Sequence, residues 1–139
     1  GRVAGRGGHR AVAVVKLFVY GLLRPGFEGA ELLGDARTLG AATTRGWLYE
    51  LGGYPGLIAG EGTVHGIVCE IDAARLPAID EFEGYDPRDP AGSLYLRETL
   101  TAWCVDTGKA VIAQAYRYNR QAPPAGWIPG GEYCRHSFA

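Results

Sequence analysis

Serine, histidine and cysteine, the residues behind most nucleophilic and metal-assisted hydrolysis, are sparse in this chain. Serine occurs only at Ser93 and Ser137, neither inside a GxSxG turn, which excludes the nucleophile elbow of the serine hydrolases. His9, His65 and His136 are scattered and form no HExxH or other ligand spacing, so no metal site is expected. Cys69, Cys104 and Cys134 are an odd number with no CxxC pair, which supplies neither a zinc site nor a disulfide framework. A reducing, cytoplasmic setting fits that usage, with Cys69 and Cys104 acting as small hydrophobes inside apolar runs. An excess of one charge is also lacking: 14 Lys and Arg stand against 15 Asp and Glu, for a net charge of -1. Basic residues thin out after the first ten positions, leaving no positive stripe for a phosphate backbone, and nucleic acid is not an expected partner. No apolar run reaches the ~18 residues that cross a bilayer, and no secretion signal is visible, so no membrane association is expected.

The chain does have glycine, 22 in 139 residues, and a hydrophobic fraction of 47% that suits one globular core. Residues 1–13 begin with four glycines and three arginines in ten positions and read as a disordered tail; residues 14–139 read as a single domain. Ala11 to Tyr20 is Val-rich and suits a strand buried on both faces. Thr38 to Leu51 reads as a strand or bent strand pair with bulges at Gly40 and Gly46, and Gly52 to Gly56 as a turn. Thr63 to Ile71, Leu94 to Val105 and Ala110 to Tyr118 supply three more strands, the last two joined by the hairpin signal Asp106-Thr107-Gly108-Lys109. With one convincing helical segment among them, the expected class is α+β: a small mixed, barrel-like β-sheet with one or two short helices. No heptad or plainly exposed apolar face specifies an oligomeric state.

The helical segment is Leu76-Pro77-Ala78-Ile79-Asp80-Glu81-Phe82-Glu83-Gly84, with Pro77 suited to its first turn and Gly84 to its stop. At ~100° per residue, Leu76, Ile79 and Phe82 form an apolar stripe, Glu83 falls beside it, and Glu81 points outward. A carboxylate aimed inward loses hydration, which raises its pKa toward the range useful to a general base at neutral pH. The alternatives are that Glu83 pairs with an arginine such as Arg97 or caps the helix end, and on physics alone the two readings stand level. Asp80, on the other border of the face, reads as structural and as a partner for Arg97.

Five fragments in order complete the reading: Val19-Tyr20-Gly21-Leu22-Leu23-Arg24-Pro25-Gly26, Gly53-Tyr54-Pro55-Gly56, Ile79 to Gly84, Tyr95-Leu96-Arg97, and Ala115 to Tyr118 with Ile128 to Tyr133. Each alone is common; together, from about Lys16 to Arg135, they make the chain resemble the gamma-glutamylcyclotransferase-like family. Ile79 stands where that family usually has Leu, and Glu132-Tyr133 where it has Asp-Trp. The resemblance implies the family's small barrel, with Glu83 as catalytic acid/base. It also implies a gamma-glutamyl amide as small-molecule substrate, 5-oxoproline as product, and no cofactor. The irregular loop at Gly21, Leu22 and Leu23 would then present backbone N–H donors to substrate, with Tyr20 and Tyr95 bordering the pocket; without the resemblance the loop reads as an ordinary Arg-Pro-Gly turn. A non-catalytic binding module on the same fold, and removal of a gamma-glutamyl protecting group in a biosynthetic pathway, are the competing readings.

Overall fold

The computed structural model describes residues 13–134. All but the last residue of the expected N-terminal tail, His9 within it, and His136 and Ser137 therefore lie outside the described residues. Five strands carry the architecture: β1 Val14–Val19, β2 Arg37–Glu50, β3 Pro55–Asp72, β4 Tyr95–Cys104 and β5 Ala110–Tyr118. They close into a barrel in the order β1-β3-β2-β4-β5. Consecutive pairs are antiparallel, and the closing contact, Leu17 of β1 with Gln114 of β5, is parallel. One α-helix among the described residues, α1 Leu76–Glu83, sits between β3 and β4. It is not long and apolar enough to cross a membrane. The mixed barrel with a short helix is the α+β class expected.

The second half of β1 is buried on both faces because it separates two apolar clusters. Phe18 and Tyr20 enter the barrel interior with Leu48, Leu57, Val64 and Val68. Leu17 and Val19 face the opposite way, toward Ile71, Ile79, Tyr95 and Tyr116. The alternation is the period-2 geometry of a strand applied to an apolar run, so one six-residue segment anchors the barrel core and the cluster under the helix together.

The β2–β3 hairpin is longer than its glycines suggest. The turn closes at Leu51, whose N–H donates to the Tyr54 carbonyl at 2.8 Å. β3 begins at Pro55 and runs 18 residues, so Pro55-Gly56 belongs to the strand and not to the turn expected for it. A proline at the first strand position forfeits no ladder bond. Gly60 and Gly62, which look like strand breakers, form the bed of the Trp47 indole: a Cβ on either would lie 2.0 or 2.3 Å from that ring. The expected bulges do occur, as register shifts between Thr38 and Gly40 and between Arg45 and Trp47. The Asp106 to Lys109 hairpin forms as read, with Cys104 N–H donating to the Lys109 carbonyl at 2.9 Å.

α1 has Pro77 in its first turn and stops at Gly84, whose φ of 75° and ψ of 34° are left-handed. The Tyr85 N–H then donates back to the Asp80 carbonyl at 2.8 Å. Ile79 is fully buried, as expected of the inner stripe, but Phe82 is 41% exposed. Phe82 lies at the edge of the stripe and covers the loop after β1: a Cβ on Gly29 would come within 2.8 Å of its ring. Asp80 takes the structural position. Arg97 donates to both its oxygens, Nε to Oδ1 at 2.8 Å and Nη2 to Oδ2 at 3.2 Å, and the Tyr116 hydroxyl donates to Oδ1 at 2.5 Å. One buried carboxylate thus ties α1 to β4 and β5. Asp80→Ala removes the shared acceptor, leaves the guanidinium with Gln114 but no counter-charge and leaves a buried hydroxyl without its acceptor, a loss expected to cost about 3 kcal/mol of unfolding free energy, measured by denaturant titration.

Candidate active site

Where β1 ends, the chain turns out of the barrel beside the start of β3, the C-terminal end of α1 and the start of β4. These segments enclose a cavity of about 370 Å³. Tyr20, Gly21, Leu22, Leu23, Glu83 and Tyr95, all singled out from sequence, lie on its wall. So do Tyr54, Pro55, Phe82, Leu94 and Tyr116, which sequence reasoning did not assign to a site. Tyr54-Pro55 stood out only as a turn motif. Tyr116 stood out only within the fragment Ala115 to Tyr118 and nothing local marks Leu94, because it is barrel closure that brings β4 and β5 against the end of β1.

Glu83 and Glu81 are the charged residues on this wall, which carries no lysine, arginine or histidine. Arg97 is held by Asp80, so the structural ion pair considered for Glu83 does not form. Nor is Glu83 the cap, a role filled by Gly84 and the backbone. Among the described residues, no hydrogen bond or salt bridge engages the Glu83 carboxylate. Burial without a compensating cation disfavours its ionised form and pushes the pKa up from 4.5 to about 7. Glu81, one residue earlier, is exposed at the rim, as its helical position dictates.

The tyrosines divide by what holds their hydroxyls. Tyr20 donates to the Tyr116 carbonyl at 2.6 Å and accepts from the Leu57 N–H at 3.2 Å. Tyr95 donates to the Pro55 carbonyl at 2.6 Å, and Tyr116 to Asp80. All three phenols are pushed well above their ordinary value, chiefly by burial, and remain neutral. Their rings shape the cavity while their hydroxyls stitch strands together. The Tyr54 hydroxyl, by contrast, has no protein partner among the described residues.

The loop after β1 lines the same cavity as Glu83. Gly21 packs so closely on Pro55 that a Cβ there would be 2.7 Å from the proline Cγ, which accounts for glycine at this position. The Gly21 carbonyl accepts from the Arg24 N–H at 3.1 Å and the Leu22 carbonyl from the Gly29 N–H at 2.8 Å. The N–H groups of Gly21, Leu22 and Leu23 donate to no protein acceptor among the described residues. Buried or partly buried amides without protein acceptors are rare, and here three in sequence lie beside a cavity. The described residues contain no group of three or more His, Cys, Asp or Glu placed to hold a metal.

Residues 17–135 match the family model described as gamma-glutamyl cyclotransferase, AIG2-like. The Escherichia coli gamma-glutamylcyclotransferase family protein YtfP is 42% identical over 67 residues, which are 48% of this chain and 59% of that protein. The sequence alignment thus spans less than two thirds of that relative's length. Its solution NMR structure aligns over 85% of this chain and 95% of that one, with a TM-score of 0.59 and 34% identity. A Vibrio cholerae protein, named only provisionally as a gamma-glutamylcyclotransferase, is 36% identical over 126 residues, 86% of this chain and 95% of that protein. The gamma-L-glutamyl-butirosin B gamma-glutamyl cyclotransferase of Niallia circulans is 33% identical over 106 residues, 75% of this chain and 67% of that enzyme. The barrel, the cavity beside its first strand and the match over residues 17–135 agree, and the chain belongs to the gamma-glutamyl cyclotransferase, AIG2-like family.

Proposed function

We propose that the protein converts a gamma-glutamyl amide into 5-oxoproline and a free amine, with Glu83 moving the protons. The observation that carries this reading is the presence of two unsatisfied groups on the wall of one cavity: a carboxylate without a cation and a run of N–H groups without protein acceptors. In this reaction the substrate's own alpha-amine attacks its gamma-carbonyl carbon. Ring closure is intramolecular, so confining the glutamyl chain in a folded shape supplies much of the acceleration. The alpha-ammonium is not a nucleophile until it loses a proton, and a carboxylate with a pKa of about 7 is suited to accept it. As the new C–N bond forms, negative charge gathers on the carbonyl oxygen. In this reading donors at Gly21, Leu22 and Leu23 bind that oxygen and the substrate's alpha-carboxylate. The proton held by Glu83 then passes to the departing nitrogen as the old C–N bond breaks. After attack the ring nitrogen still carries a second surplus proton, which follows the first to the amine, so the alpha-ammonium becomes the ring N–H, the amine leaves as an ammonium, and no water, metal or redox partner is consumed.

A bulky leaving amine is favoured by a second feature. An open cleft of about 920 Å³ on the far side of the α1 terminus, along residues 84–93, shares Glu81 and Gly84 with the cavity wall. The likeness to the Niallia circulans enzyme points the same way, toward removal of a gamma-glutamyl group from a larger intermediate. A panel of gamma-glutamyl amides, from small amines to epsilon-lysyl and dipeptide leaving groups, scored for 5-oxoproline, tests the activity and sorts the leaving groups.

On the best substrate of that panel, Glu83→Gln is expected to lower 5-oxoproline formation by about 10³-fold, a typical loss for a proton-transfer group. Glu81→Gln, on the outer face, is expected to stay within about twofold, and full activity in the Glu83→Gln protein would refute the assignment.

The same carboxylate sets a pH dependence in rate and in stability. As a base Glu83 works ionised, so kcat/KM is expected to climb with pH through an apparent pKa of about 7 and to lose that limb in the Glu83→Gln variant. For stability the sign is reversed. Between 4.5 and about 7 the folded protein keeps a proton that the unfolded chain has released, so Glu83 weakens the fold as pH rises through this window. Calorimetry at pH 8 is expected to show Glu83→Gln melting above the wild type, with the gap closing below pH 4.5.

A further inference from the structure

The N–H donors after β1 are useful only if they face the cavity, and the orientation of a peptide group is set by whatever holds its carbonyl. In a planar trans peptide the C=O of one residue and the N–H of the next point in opposite directions. The Leu22 N–H is therefore aimed by the Gly21 carbonyl, and the Leu23 N–H by the Leu22 carbonyl. The Leu22 carbonyl is held by the Gly29 N–H at 2.8 Å, a bond within the loop. The Gly21 carbonyl is held twice by one residue: by the Arg24 N–H at 3.1 Å and by the Arg24 guanidinium, through Nε, at 3.2 Å.

The guanidinium reaches further. Its Nη2 donates to the Tyr133 carbonyl at 2.5 Å, and its plane lies over the Phe27 ring at 4.6 Å, with Phe27 in turn 6.1 Å from the Tyr133 ring. Tyr133 is buried, and its segment is fixed to the barrel by the His65 N–H donating to the Gly131 carbonyl at 2.8 Å. Arg24 itself is absent from the cavity wall, although Gly21, Leu22 and Leu23 form part of it. Arg24 thus sits behind the loop, with its backbone and side chain drawing the Gly21 carbonyl outward and the attached Leu22 N–H directed inward.

We propose that Arg24 is the positioning residue of the anion-binding loop, fastening it to the segment around Tyr133 so that the Leu22 N–H stays aimed at the substrate anion. This rests on the reading of the cavity as a gamma-glutamyl site, but the claim about the loop itself does not need turnover to be tested. The guanidinium is suited because its rigid fork reaches two carbonyls from separate nitrogens and stacks on a ring through its face. A lysine carries its three donors on one tetrahedral nitrogen and lacks both the planar fork that spans two separated carbonyls and the face that lies on a ring.

The test compares Arg24→Met, which keeps the apolar stem, with Arg24→Lys. In uniformly 15N-labelled protein without ligand, the Leu22 amide resonance is expected to move in Arg24→Met and less in Arg24→Lys, while core amides such as those of Val64 and Val68 stay in place. Well below the melting temperature, kcat/KM on the best gamma-glutamyl amide is expected to fall about 100-fold in Arg24→Met and about tenfold in Arg24→Lys, the scale of losing an oriented oxyanion donor. A general loss of stability would instead lower the melting temperature and leave kcat/KM of the folded protein unchanged. An unmoved Leu22 amide in Arg24→Met, or kcat/KM within twofold of wild type, overturns the proposal. If the wild type turns over no gamma-glutamyl amide, the functional reading falls, and the amide resonances alone decide the role of Arg24.

Discussion

Two carboxylates, Asp80 and Glu83, lie three positions apart on one short helix, and the structure turns on how Arg97 is divided between them. Asp80 takes the guanidinium in both oxygens and the Tyr116 hydroxyl besides, which docks α1 on β4 and β5. That attachment engages the Arg97 guanidinium, and with no lysine, arginine or histidine on the wall Glu83 enters its cavity without a counter-charge. A desolvated carboxylate is raised toward neutrality only if no positive group is near, because a single close arginine would pull it the other way. The structural pair therefore creates the chemical group: the better Asp80 holds Arg97, the more fully Glu83 is left to burial alone.

The site carries a cost in stability. A partly desolvated acid with no cation beside it and three backbone donors without protein acceptors are arrangements that folded proteins otherwise limit, since each loses hydration without a protein partner in return. They persist because the surroundings are over-determined. The Tyr20 and Tyr95 hydroxyls pin strands together across the floor, Gly21 is pressed against Pro55, and the loop carbonyls are tied from behind. A ligand that offers an ammonium to one side and an anion to the other satisfies both defects at once, so binding recovers what folding gave up.

Much of this was legible in the residues. β1 showed as an apolar run, α1 as a stripe between Pro77 and Gly84, and the hairpin at residues 106–109 as its turn chemistry. Glu83 could be placed on the inner face by helical periodicity, but periodicity could not say whether Arg97 would reach it; that depends on how β4 is registered against the helix. The start of β3 was missed because glycine is ambiguous. Gly60 and Gly62 accept an indole from the neighbouring strand, and nothing within their own segment records it. Phe82 was misassigned for a related reason: at the edge of a helical stripe, a ring can turn to the core or to an adjoining loop, and here the small surface of Gly29 receives it. The rest of the cavity wall comes from segments far apart in the chain and became visible only once the barrel closed.

The seam between β1 and β5 sets a timetable for assembly. β1 is made early, yet its neighbours are β3, across residues 67–72, and β5, at Gln114. Chain closure over such separations is slow and entropically costly, so the first strand waits on partners that leave the ribosome much later. The loop that follows it waits longer still, since Arg24 meets its distant anchor only at residue 133. A nascent chain halted before that point would hold Glu83 and the helix but lack the Arg24 to Tyr133 bond, which makes the fastening of the loop after β1 among the last features to mature.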